Sequence, residues 1–151
     1  MNATDQADDD MLAIKPTSGV KAGAAFMAGA GVLGLVIALQ GFAIISLRGV
    51  YQLSEVVFGL LGALGIFAAA RFSAMRGIGA RLTAGVGLAL AVCGLGWFVI
   101  ALLGGVFIML ALAVVPVAGV AAGLAFVNLG ATRRADAARS RLRAQGLDAG
   151  F

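Results

Sequence analysis

The chain has 151 residues, 62% hydrophobic and 12% charged, with a mean hydropathy of +1.05, whereas a soluble domain carries about twice that charge fraction. Its 11 Lys and Arg against 7 Asp and Glu give a net charge of +4, but no basic patch alternates with aromatics, which argues against nucleic-acid binding. With no His and one Cys, Cys93, disulfide frameworks, zinc sites, His-based acid/base catalysis and Cys–His dyads are excluded.

What remains is an all-α polytopic membrane protein, and the elements follow in chain order. Residues 1–20 are acidic (Asp5, Asp8, Asp9, Asp10), then Pro-, Thr- and Ser-containing, and are expected to form a disordered leader. Thr17 or Ser18 is placed to cap the helix that follows. From Ala22 to Leu47 there is no charged residue. This run is far longer than the ~7–15 apolar residues of a signal peptide and lacks a basic leader, so it reads as a permanent span. It contains one amide, Gln40, which must find a hydrogen-bond partner across helices or face a cavity.

The first connection brings Arg48, Tyr51, Gln52, Ser54 and Glu55 close together. Glu55 lies 16 residues from Arg71, or about 24 Å along a helix at ~1.5 Å per residue. If Arg71 marks one membrane surface, Glu55 sits just inside the other. An Arg48–Glu55 ion pair and a polar hairpin cap, or a recognition cluster, are expected there. The second span, 50–71, repeats glycine every third residue at Gly59, Gly62 and Gly65, a spacing that lets helix backbones come close.

Residues 82–132 contain no charge, and 51 residues are enough for two spans of the roughly 20 residues that a bilayer core of ~30 Å requires. The break is placed at Gly104-Gly105, which gives helices at about 82–103 and 106–131. In the fourth span, Pro116 denies a hydrogen bond to the Leu112 carbonyl, so a kink is expected there. Gly119 and Gly123 form a GxxxG pair, expected to pack within the bundle, with a dimerisation groove as the alternative. The tail, 133–151, is expected to be partly helical. Its arginines, Arg133, Arg134, Arg139, Arg141 and Arg143, are placed to contact anionic lipid.

The domain plan is therefore a leader (1–20), a four-helix transmembrane domain (21–132, with spans at about 22–47, 50–71, 82–103 and 106–131) and a basic tail (133–151). Ten of the 11 basic residues fall on the side of the leader, the second connection and the tail, and Arg48 alone falls opposite. The positive-inside rule then places both termini in the cytoplasm. The composition, rich in Ala, Gly and Arg, suggests a bacterial inner membrane.

Residues 28–51 and 84–107, aligned at an offset of 56, share ten identities in 24 positions, among them Gly31/Gly87 and Phe42/Phe98. The expectation is a parallel duplication of one helical hairpin. No nucleophile–base constellation, metal-ligand set or cofactor motif is present, so an enzyme is not expected. A non-catalytic scaffold or accessory subunit fits, self-associating or joined to a larger membrane complex. A channel, holin-like or transporter subunit, using Gln40 and Glu55, is the alternative.

Overall fold

The computed structural model describes residues 3–43, 50–104 and 108–146, and the side chains of 6–39, 53–99 and 112–146. It is helical throughout, with no strand among the described residues. Six helices follow one another: α1 (Ala3–Ile14), α2 (Ser18–Ala43), α3 (Val50–Ser73), α4 (Gly77–Gly104), α5 (Ile108–Val127) and α6 (Leu129–Ala144). By length and composition, three helical stretches can cross a membrane, and counting the bent pair α5–α6 as one makes four.

Helices α2 to α5 form the bundle. Each packs on the next in chain order and α5 closes the ring against α2, while α1 lies on α6 beyond one end. That end, which carries α1, α6 and the α3–α4 turn, is the cap end.

The helix ends follow from local chemistry. Pro16 interrupts the chain after α1, and Thr17 Oγ1 accepts a hydrogen bond from Val20 N at 3.3 Å, capping α2. At the close of α3, Met75 takes a left-handed conformation (φ 54°) and Arg76 N donates back to the Arg71 carbonyl at 3.3 Å. This back-bonded turn normally ends on glycine. Between α5 and α6 the axis bends by 52° at Asn128, whose amide nitrogen donates to the Leu124 carbonyl at 2.8 Å. Helix α5 continues unbroken through Pro116. The 52° change of direction comes at Asn128.

Small residues set the bundle's spacing. A Cβ on Gly62 would meet the Gly31 carbonyl oxygen at 2.7 Å and Leu35 N at 2.9 Å, so α2 and α3 cross backbone to backbone. In the other hairpin, a Cβ on Gly87 would meet the Ala118 carbonyl oxygen at 2.9 Å and the Ala122 Cβ at 3.1 Å. The mid-bundle core joins Met27, Ala30, Phe58, Leu90, Val114 and Ala118. A second cluster beneath the cap joins Val20, Phe72, Met75, Ala80, Ala125 and Ala135.

Two expectations about the ends are corrected. The leader read as disordered contains the 12-residue helix α1, which finds a partner in α6. Helix α5, read as the fourth span, stops at Val127, and the tail helix starts at Leu129, ahead of Arg133.

Candidate functional site

The described polar chemistry gathers in two places, the cap and the far end of α3. At the cap, α6 serves as a keystone for the α3–α4 turn. Asp136 Oδ2 accepts a hydrogen bond from Gly77 N at 2.7 Å, capping the start of α4 from another helix. A Cβ on Gly77 would fall 2.6 Å from that oxygen, so a side chain there would displace the carboxylate from its partner. One turn on, the Arg139 guanidinium donates to the carbonyls of Met75 at 3.0 Å and Ala74 at 2.5 Å, the unpaired acceptors at the end of α3. It also pairs with Asp136 Oδ1 at 3.3 Å. Two residues of one helix thus close the end of α3 and the start of α4.

Helix α1 joins this cap through Asp10, whose Oδ1 lies 3.0 Å from Arg141 Nη2. Asp10 is only 5% exposed, and its Oδ2 is buried with no hydrogen-bond partner. The Thr83 hydroxyl, fully buried in α4, likewise has none. Thr17 and Asn128 meet at 3.4 Å, which brings the start of α2 level with the α5–α6 bend.

The arginines expected to face anionic lipid divide accordingly. Arg139 is consumed inside the cap, which corrects its assignment, and Arg141 holds Asp10 while half exposed. Arg133, Arg134 and Arg143 are exposed.

At the far end, Glu55 is 7% exposed, so the protein itself covers it. One turn deeper on α3, Phe58 meets Trp97 of α4 edge-on at 6.4 Å between ring centroids. Ser54 is half-buried beside Glu55. Arg48 lies outside the described residues, and so do the side chains of Gln40, Tyr51 and Gln52. The expected hairpin cap is therefore represented only by Ser54 and Glu55.

The glycine stripes point in opposite directions. Gly59, Gly62 and Gly65 face α2, where Cβ atoms would meet Ala38, Gly31 and Met27. Gly119 and Gly123 are exposed with nothing within 4 Å, which corrects the expectation that they pack within the bundle. Pro116 shares that outward face.

Sequence reasoning missed Asp10 and Asp136. Asp136 carried a faint signal as the lone acid among the tail arginines, but its partner Gly77 is 59 residues away. Among the described residues, no group of acids or cysteine gathers that could hold a metal ion. Compared with models of known protein families, with curated proteins and with solved structures, the chain matches none.

Proposed function

We propose that this chain is a four-span protein of a bacterial inner membrane, with α1 and α6 in the cytoplasm. In this reading it works as a non-catalytic scaffold or accessory subunit, assembling with itself or within a larger membrane complex. The observation that carries the reading is the outward face of α5. A glycine inside a helix costs about 1 kcal/mol relative to alanine. Gly31, Gly62 and Gly87 are used where backbones cross, but a Cβ on Gly119 or Gly123 would meet nothing within 4 Å among the described residues. A second helix lying on them would gain the close approach that drives association in lipid.

A parallel duplication of one hairpin fits this reading. Shifted by 56 residues, the Gly31 contacts to Gly62 and Ile66 become the Gly87 contacts to Ala118 and Ala122. The hairpins thus use the same seam, but their outward faces differ. Where α3 exposes Ala63 and Phe67, α5 exposes Gly119 and Gly123 at the corresponding positions. The bulky face suits lipid, and the grooved face suits another helix.

Light scattering on protein purified in mild detergent tests the proposal. Gly119→Leu and Gly123→Leu are expected to lower the mass of the assembly while leaving the melting temperature of the protomer unchanged. An unchanged mass in both variants would count against it. A second reading, a channel or transporter subunit, is favoured by the burial of Glu55. Solute or ion flux into liposomes that disappears in Glu55→Gln would decide for that reading.

A further inference from the structure

We propose that α1 is a detachable strap on α6, and that phosphate headgroups of an anionic bilayer compete with Asp10 for Arg141. The proposal rests on the membrane reading above but not on the assembly role.

The two parts of the cap are held very differently. Helix α6 is tied to the bundle by three hydrogen bonds to backbone, from Gly77 N to Asp136 and from Arg139 to the carbonyls of Ala74 and Met75. Among the described residues, α6 is the element that α1 packs against, and the ion pair of Asp10 with Arg141 is the polar contact between them. Met11 and Leu12, next to Asp10, add little to it, since they are 51% and 60% exposed.

The ion pair is also incomplete. Asp10 Oδ2 is buried without a donor, and an unsatisfied buried polar atom carries a desolvation cost that a solvated one does not. Undocking α1 gives both carboxylate oxygens to water, which offsets part of what docking gains. It leaves Arg141 without its anion. A phosphate offers the same guanidinium a charge-assisted, bidentate partner.

An anionic surface acts on both sides of this contact in the same direction. It attracts the exposed arginines of α6, which are Arg133, Arg134, Arg141 and Arg143. It repels α1, whose acids are Asp5, Asp8, Asp9 and Asp10. Asp8 and Asp9 are exposed and have no structural task on α6. Their charge gives the strap its sensitivity to the lipid beneath it.

The test places nitroxide labels at Met11→Cys and Ala144→Cys in a Cys93→Ala background. Both labelled positions are exposed, so the labels leave the contact intact. Distances between the labels are measured by pulsed electron resonance in nanodiscs of phosphatidylcholine, and in nanodiscs containing phosphatidylglycerol. The expected result is a narrow, short distribution in phosphatidylcholine and a shift to long, broad distances as phosphatidylglycerol is added. Asp10→Asn is expected to give the long distribution already in phosphatidylcholine. A second pair, Ser73→Cys with Ser140→Cys, spans the keystone contact and should keep its distance throughout, which separates strap release from loss of the fold. Distances that ignore lipid charge, or an Asp10→Asn variant with α1 still docked, would overturn the proposal. So would an equal shift produced by inorganic phosphate in the uncharged discs, since the bilayer would then not be the competitor.

Discussion

At the residue scale, the cap depends on two side chains that sequence reasoning placed elsewhere or passed over. Arg139 reads as one more tail arginine, yet its guanidinium covers the carbonyls of Ala74 and Met75. Those carbonyls end a helix through a left-handed Met75 that is itself 2% exposed. A non-glycine residue in that conformation stores about 1–2 kcal/mol, so the turn needs outside support. Replacing Asp136 with Ala removes the cap on α4 and should cost about 1 kcal/mol. Arg139→Gln should cost about 2 kcal/mol, since charge-assisted bonds are the stronger kind. Because the two residues pair with each other, the double variant should lose less than the sum. Thermal melts of the four proteins in one detergent measure all three quantities. A strictly additive result would show that the two caps act independently.

At the element scale, the small-residue spacing was legible on both α3 and α5, but the direction of each face was not. Glycines three or four apart share a side of a helix whatever that side meets, and only the packing of α2 on α3 turns Gly62 inward. The consequence is testable by one pair of substitutions. Gly62→Leu must force a side chain onto the Gly31 carbonyl and should destabilise the protomer by at least the ~1–3 kcal/mol typical of overpacking. Gly119→Leu meets nothing within 4 Å and should leave the protomer's melting temperature unchanged. If both variants melt alike, the assignment of the two faces is wrong. Helix α1 was illegible for a different reason. Its acids give it the composition of a solvated leader, and the partner that orders it, α6, lies at the far end of the sequence. The break at Asn128 was likewise hidden, because residues 82–132 contain no charge to mark it.

At the scale of the whole molecule, composition alone made the helical, apolar character legible. Long uncharged runs in a chain of this mean hydropathy leave few other solutions, because backbone groups in lipid must be satisfied internally. The far-end polar cluster was only partly recovered, since its expected members straddle the limits of the described residues. The proposed orientation makes a prediction for the intact protein in sealed vesicles. In a Cys93→Ala background, Ser73→Cys and Ser140→Cys should be labelled by an impermeant thiol reagent from the same side, and Gln52→Cys from the opposite side. Labelling of Ser73→Cys and Gln52→Cys from one side would end the four-span arrangement.

The keystone contact also imposes an order in time. In the four-span reading, a chain made from its N-terminus completes the residues of α2 to α5 before Asp136 and Arg139 are added. Until then, the start of α4 lacks its cap and the end of α3 keeps exposed carbonyls. Helix α6, made after both hairpins, therefore locks the two halves together. A chain cut short before residue 136 would lack this lock, and in the proposed orientation its uncapped α3–α4 turn would face cytoplasmic proteases.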